Sequence, residues 1–280
     1  MRKLLSANFS RLWKSKIFWI LEGLSFSIGI FIYTLVAINT HNLGQGWLEY
    51  NAHAYFYLPF LYIAIVIAIF ACFYIGTDHS DGTLRNKLIV GHGRTEIYLS
   101  YYLTTAIVAL LLVAAYYLSI PLVGLPFSGR AVISCVELQP WRIMNFAFVI
   151  IEYTAIFVLL SILDSNKARN VIISLLVASS AIIIGMMLYG RYSQPEFVNH
   201  VVVLPDGGIE LKQGAANSKY LSGSIRTVVE WSTLILPSGS VMLSLDRNLG
   251  FDWRNPVISL GMIVALNAIG LLLFKKKDIN

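Results

Sequence analysis

Six long apolar runs, separated by shorter polar segments, organise this chain. They occupy residues 17–38, 54–76, 97–123, 143–163, 170–189 and 256–274. A helix needs roughly 20 residues to cross a hydrocarbon core of about 30 Å. Irregular backbone cannot face lipid, so each run is predicted to be helical. The pattern therefore predicts an all-α integral membrane protein with six transmembrane helices, in one transmembrane domain that covers 1–280.

The first sixteen residues have a different pattern. Apolar and polar side chains alternate there at helical spacing. The apolar ones are Leu4, Leu5, Phe9, Leu12 and Trp13, and the polar ones are Asn8, Arg11 and Lys14. This spacing predicts a short amphipathic helix over 1–16 that lies in the membrane interface.

The stretch 190–255 departs from the regular pattern. Its first part is polar, and Pro205 to Gly208 predict a tight turn. Apolar character returns over Val228 to Leu245, but Pro237, Ser238 and Gly239 interrupt it, and each half is too short to span. We predict an extracellular loop with one or two broken helices at the outer leaflet, and not a seventh span.

Composition and charge support a membrane protein. Apolar residues make up 57% of the chain and charged residues 13%, about half the charged share of a soluble domain. Lys and Arg cluster before residue 17, over 85–94, at 167–169 and at 275–277, whereas the connection 39–53 has none. Because basic connections mark the cytoplasmic side, we expect both termini in the cytoplasm and the protein in the plasma membrane. No basic stretch free of apolar runs is available to bind nucleic acid.

Motifs of catalysis and metal binding are missing from the sequence. It contains no G-x-x-x-x-G-K-[ST], H-E-x-x-H or G-x-S-x-G. We therefore predict no catalytic residue and no metal site, although His79 and His92 flank the segment described next. Cys72 and Cys135 are expected to be small buried apolar residues. Glu152 lies near the middle of the fourth run, so it is either a candidate pathway residue or a hydrogen-bond partner of Tyr or Ser on a neighbouring helix.

The segment 77–96, between the second and third runs, predicts a small cytoplasmic helix. Asp81 can cap a helix whose free amides begin at Gly82. Leu84 and Leu88 share one face at i and i+4, and Gly91 can end the helix as a left-handed cap.

Two interpretations of this helix remain open on physical grounds. The helix can insert its Leu84 and Leu88 face into a groove on another protein. Alternatively it rests on lipid headgroups, and Arg85, Lys87 and Arg94 are inside-positive anchors.

The same segment resembles the first cytoplasmic connection of type-2 ATP-binding-cassette (ABC) exporter permeases. That family has an acidic residue, then Gly-Thr-x-Arg-Asn-Lys-Leu, then Gly-His-x-Arg-Thr-x-Ile-Tyr. The matching residues are Asp78, Gly82, Thr83, Arg85, Asn86, Lys87, Leu88, Gly91, His92, Arg94, Thr95, Ile97 and Tyr98. The family often has Glu where Asp78 stands. The likeness favours the first interpretation, in which residues 77–96 form an ATPase-coupling segment that also contains Asp81 and Leu84.

The resemblance implies a permease subunit and not an enzyme. Two permeases, identical or related, would form the pathway, and separate cytoplasmic ATPase subunits would bind ATP and Mg²⁺, so no cofactor is expected in this chain. Peptide antibiotics, lantibiotics or other amphipathic molecules are the expected class of exported substrate. The alternative is a membrane sensor or scaffold that binds a peptide outside and signals through its cytoplasmic helix.

Overall fold

A computed structural model of the chain describes residues 1–128, 140–203, 209–246 and 248–277. Eleven helices of seven or more residues, a π turn at Ile120–Gly124, a one-turn helix at Leu125–Ser128 and two strands make up this part of the chain. In order they are α1 (Arg2–Lys14), α2 (Lys16–Leu43), α3 (Gln45–Tyr57), α4 (Pro59–Ser80), α5 (Thr83–Ile89), α6 (Arg94–Tyr117), α7 (Pro140–Leu163), α8 (Lys167–Tyr192), β1 (Phe197–Val203), β2 (Ile209–Ala216), α9 (Gly223–Ile235), α10 (Pro237–Leu245) and α11 (Arg254–Lys276).

Six helical segments are long and apolar enough to cross a membrane. They are Lys16–Leu43, Ala54–Ser80, Arg94–Phe127, Pro140–Leu163, Lys167–Tyr192 and Arg254–Lys276. Each contains one predicted run, which confirms a helical multi-pass architecture. Each segment extends beyond its apolar run at one or both ends.

The bundle is built around α4 and α7, which are the most buried of the spans, whereas α8 and α11 are the most exposed. α4 packs against α6, α7 and α8, and α11 packs along α7. The connection 39–53 is helical, because α2 continues to Leu43 and α3 then leads back to α4. After Tyr117 the third span continues through a π turn at Ile120–Gly124. Pro121 lies in that turn, where its missing N–H interrupts the regular hydrogen-bond ladder.

Strands β1 and β2 form an antiparallel hairpin that the helical reading of the chain does not anticipate. Its register pairs Phe197 with Ala216 and Val203 with Ile209, with an irregularity between Val198 and His200. The run of β-branched residues over 201–203 favours a strand. The predicted turn at Pro205 to Gly208 lies outside the described residues, and so does Cys135.

The second apolar part of the 190–255 loop is broken, as the sequence predicts. Helices α9 and α10 meet at an angle of 102°. The break falls at Leu236, whose backbone is extended (φ −84°, ψ 123°), and Pro237 opens the next helix. A proline disfavours helical backbone in the residue before it and suits the first helical position. α10 is buried between α7 and α8 and is not spread on the bundle surface.

Met1 and Lys277, the first and last described residues, lie at the same end of the bundle, together with α5 and the α7–α8 connection. The Met1 amine is 3.1 Å from the Glu96 carboxylate. Lys277 Nζ donates to the carbonyl of Ile162 at 2.8 Å, and Lys167 Nζ donates to Thr77 Oγ1 at 3.3 Å. We call this the basic end, because it gathers the clusters at 85–94, 167–169 and 275–277.

Candidate coupling site at the basic end

Helix α5 is short, and its C-terminal cap holds its end in place. Gly91 has φ 95°, in the left-handed region where glycine is unstrained. The Gly91 amide donates to Leu88 O at 3.0 Å, and the His92 amide donates to Lys87 O at 3.1 Å. These two bonds form a Schellman motif. The prediction that Gly91 ends the helix is confirmed.

The start of α5 differs from the prediction. The N-cap residue is Gly82 (φ 68°), and it makes no side-chain cap bond. Asp81 instead closes the preceding helix α4, and its carboxylate accepts a bond from Ser80 Oγ at 3.2 Å. The predicted capping role of Asp81 is wrong because the chain turns between the helices at Gly82, which places Asp81 at the end of α4. Thr83 is the first residue of α5 and is partly buried.

The two faces of α5 have different surroundings. Leu84 is 1% exposed, and Leu88 packs against the same core. The expectation that Leu84 fills a groove on another protein is wrong, because the apolar face is already buried in this chain's own bundle. Ile89 and Val90 are exposed to 72% and 77%.

Arg85 and Asn86 are also exposed. Residues 85, 86, 89 and 90 fall on one side of a helix with 3.6 residues per turn. We call these four residues the outward face of α5. It combines a cation, an amide and two uncovered aliphatic side chains.

A buried charge cluster attaches α5 to the bundle. Asp78, at the end of α4, is 2% exposed and forms ion pairs with Arg11 of α1 and Lys87 of α5. The Lys87 Nζ–Asp78 Oδ2 distance is 2.7 Å. Tyr101 of α6 also donates to this carboxylate, and Lys87 Nζ lies 3.0 Å from Tyr101 Oη. One carboxylate therefore joins four helices.

Residues of α1 complete the cluster. Asn8 Oδ1 accepts a bond from Lys87 Nζ at 3.2 Å, and Asn8 Nδ2 donates to Ser100 Oγ at 3.1 Å. The Arg11 guanidinium lies 3.8 Å from the centre of the Tyr74 ring. α1 is thus an amphipathic helix as predicted, but its Asn8 lies on the buried face and not on a solvated one.

The cluster holds two cations for one carboxylate. Burial, with a further contribution from the Arg11 guanidinium, lowers the pKa of Lys87 to about 7. Because Arg11 is the permanently charged partner of Asp78, the surplus proton belongs to Lys87. The cluster is therefore electrically balanced when Lys87 is neutral.

Arg94 connects the segment 77–96 to the C-terminus of α11. Its Nη1 donates to the carbonyls of Phe274 at 2.7 Å, Lys275 at 3.0 Å and Lys277 at 2.5 Å. The last carbonyls of a helix lack internal partners, and a guanidinium satisfies them well. Arg94 is thus a clamp on the C-terminus of α11. His92 lies nearby, and its Nδ1 is 3.6 Å from Glu96 Oε2.

Glu152 is predicted as a pathway residue or a hydrogen-bond partner. It is 2% exposed, and its carboxyl group interacts with the Ser259 side chain of α11. The contact with Ser259 is the predicted hydrogen bond to a neighbouring helix. A role of Glu152 in the pathway stays a prediction.

The other candidate residues do not form a site. Cys72 is buried with a free thiol, 3.6 Å from Ser161 Oγ, which fits its expected role as a small core residue. His41 is exposed and contacts Asn42. Within the part of the chain that the structure describes, no three His, Cys, Asp or Glu residues are grouped to hold a metal ion.

Sequence reasoning placed Asp78 and Lys87 in one segment but missed three of their partners: Asn8, Arg11 and Tyr101. A signal for Asn8 was present, because Leu4, Asn8 and Leu12 fall at i, i+4 and i+8 and therefore share one stripe. The joining of α1 to α6 is a tertiary contact, which local spacing does not encode.

Comparison with protein-family models and with curated proteins yields no match for this chain.

Proposed function

We propose that this chain is the permease subunit of an ABC transporter, and that a separate cytoplasmic ATPase docks on the outward face of α5. The observation that carries the proposal is the contrast between the two faces of this helix. One face is fixed by Leu84 and the charge cluster to three other helices, α1, α4 and α6, and the other face is uncovered. A helix of this kind can transmit a movement of the bound ATPase to the transmembrane helices.

The contacts of Lys87 and Arg94 determine which spans would move with α5. A force on Ile89 and Val90 passes through α5 to Lys87. From there it passes to Asp78, near the end of the second span, and to Tyr101, two turns into the third span. Arg94 relays it to α11. ATP-driven closure of the motor would thus move three spans together. This account also requires the basic end to lie in the cytoplasm, as the distribution of Lys and Arg predicts.

The substrate class follows from the resemblance and is part of the proposal. We propose export of a peptide antibiotic, a lantibiotic or another amphipathic molecule through a pathway that two permeases form. The membrane sensor or scaffold is the second candidate, and the exposed apolar pair also suits a signalling partner. The two candidates differ in a measurable way, because only a transporter subunit should stimulate ATP hydrolysis by the bound protein.

The proposal is tested by affinity purification of the chain from its native membranes, in which the recovery of any P-loop ATPase is measured by mass spectrometry. We expect Ile89→Asp with Val90→Asp to lower ATPase recovery at least about tenfold, because two carboxylates replace the uncovered apolar pair. The matched control is Ile225→Asp with Val228→Asp on α9, since both residues are 64% exposed. Wild-type recovery by the Ile89 and Val90 variant would contradict the proposed docking surface.

A further inference from the structure

A groove of about 510 Å³ lies on the bundle surface between α2 and α6, next to the end of α1. Its volume falls in the range of small-molecule sites, roughly 300–1,000 Å³. The lining is apolar and aromatic with one exception, Glu22. The lining includes Trp13, Phe18, Trp19, Glu22, Leu111 and Leu118.

Glu22 is the only charged residue in this lining. Its Oε1 is buried and has no hydrogen-bond partner among the described residues. Glu22 lies six residues after Lys16, where α2 begins, so it is about 9 Å along the helix. An uncompensated carboxylate at that depth in an apolar wall is unfavourable. The groove therefore favours a ligand that brings positive charge or N–H donors.

Three aromatic rings stand beside this carboxylate. Ring centroids are 5.5 Å apart for Trp13 and Phe18, 5.7 Å for Trp13 and Trp19, and 5.1 Å for Phe18 and Trp19. Trp19 Nε1 donates to the backbone carbonyl of Trp13 at 2.9 Å, which holds the Trp19 indole against the end of α1. Aromatic faces attract ammonium groups, most strongly those of Trp. A carboxylate with several such faces is the recognition chemistry of an ammonium ion.

We propose that this groove binds a membrane amphiphile whose apolar chain ends in an ammonium group. The ammonium would pair with Glu22 against the indoles, and the chain would lie along the wall that contains Leu111 and Leu118. Trp13 and Trp19 are 53% and 54% exposed, so the groove is open on the bundle surface, from which a membrane molecule can enter. An anionic amphiphile would repel the carboxylate, and an uncharged one would leave it unpaired.

A second copy of the chain is a poorer occupant of the groove. In the described spans Lys and Arg lie near helix ends, for example Lys16, Arg94, Lys167 and Arg254. The interior of a neighbouring span therefore offers no cation to pair with Glu22. The inference does not depend on the proposed ATPase docking, because the groove contains no residue of the charge cluster or of the outward face of α5, and the binding event does not involve ATP.

The experiment uses quenching of the groove tryptophans by a bromine-labelled ligand. The protein is placed in nanodiscs of an uncharged glycolipid, which neither attracts the amine by its own charge nor carries an ammonium group. It is then titrated with bromine-labelled undecylamine or with the alcohol of the same length. Quenching that is lost in Trp13→Phe with Trp19→Phe defines the groove signal. We expect the amine to produce this signal at about tenfold lower concentration than the alcohol, since only the amine gains the charge pair and the aromatic contact.

Variants of Glu22 decide the outcome. In Glu22→Gln the amine and the alcohol should produce the groove signal at the same concentration. Glu152→Gln, which removes a carboxyl group elsewhere in the bundle, should keep the tenfold preference for the amine. Glu22→Lys should reverse the preference in favour of bromine-labelled undecanoate, which keeps the test informative if the Gln variant folds poorly. An unchanged preference for the amine in Glu22→Gln would overturn the proposal. So would the absence of any groove signal together with cross-linking of two copies through Gly23→Cys, which would assign the groove to a second copy.

Discussion

Charged residues in this protein have distinct local tasks, and each task follows from what the side chain touches. Asp78 joins helices, Arg94 clamps carbonyls at the end of α11, and Glu152 contacts Ser259 inside the bundle. Buried charges are tolerated when they are paired and hydrogen-bonded. The cluster around Asp78 meets this condition apart from its surplus cation.

The surplus cation predicts a pH dependence. The pKa of Lys87 is about 7 in the folded chain and 10.5 in an ordinary lysine. Between these values the unfolded chain binds more protons, so the Lys87 contribution to stability rises with pH across that window, by up to about 1.4 kcal/mol per pH unit. We expect the melting temperature of the wild type, relative to Lys87→Met, to rise between pH 7 and pH 9. Lys275→Met removes an exposed lysine outside the cluster and serves as the control, for which we expect no such pH-dependent difference. A difference that stays flat or falls with pH would contradict the two-cation account.

Glu152 gives a second prediction at this scale. Gln keeps the size of Glu152 and a hydrogen bond to Ser259, so we expect Glu152→Gln to retain thermal stability and transport. Glu152→Leu removes the bond and leaves Ser259 unpaired, which should cost about 1–3 kcal/mol of unfolding free energy. Loss of transport in a stable Gln variant would instead make Glu152 a pathway residue.

Two elements of this protein, α5 and α10, are delimited by a glycine or a proline. Backbone geometry, and not a loss of apolar character, sets the end of α5 and the start of α10. Gly91 supplies the left-handed cap after α5. Pro237 is the first residue of α10 and keeps Leu236, the residue before it, out of the helical conformation.

The cap makes a prediction with a matched control. Gly91 and Gly93 both have open space where a Cβ would be added, but only Gly91 has a positive φ. We expect Gly91→Ala to reduce unfolding free energy by about 1 kcal/mol, since a Cβ is strained in the left-handed region. Gly93→Ala should have little effect. Equal losses in thermal denaturation for the two variants would show that the cap geometry is not the cause.

The close approach between α9 and α10 leads to a further prediction, which concerns Gly239. A Cβ on Gly239 would meet the backbone of Thr233, whereas Gly250 has open space. We expect Gly239→Ala to destabilise the protein by about 1–3 kcal/mol through overpacking and Gly250→Ala to be neutral. Melting temperatures measured in detergent provide the comparison, and a neutral Gly239→Ala would argue against the tight bend.

Sequence patterns predicted these elements to different degrees. The six spans and the helix end at Gly91 were readable, because apolar length and a glycine cap are local signals. The Asp81 cap was wrong since Gly82, the turn residue, is also a permissible N-cap. The β hairpin was missed because its strands lie in a polar, turn-rich stretch. The inward orientation of Leu84 depends on packing against other helices, and periodicity alone gives a face without its partner.

At the scale of the whole molecule, the bundle has a buried centre at α4 and α7 and exposed apolar surfaces on α8 and α11. Lipid or another subunit must cover such surfaces in a membrane protein. At the basic end the surface is different, because the outward face of α5 offers two aliphatic side chains next to Arg85 and Asn86. This is where the proposed account requires a motor protein.

The most direct test of that claim is site-specific photo-cross-linking in intact membranes. A photoreactive amino acid replaces Asn86 on the outward face of α5 or, as the matched control, Asn42 near the end of α2, because both are exposed asparagines on helices. The account predicts that the probe at Asn86 cross-links to an ATPase that contains a P-loop, identified by mass spectrometry, and that the probe at Asn42 does not. Cross-links from Asn86 to lipid alone, or ATPase cross-links from Asn42 alone, would contradict it.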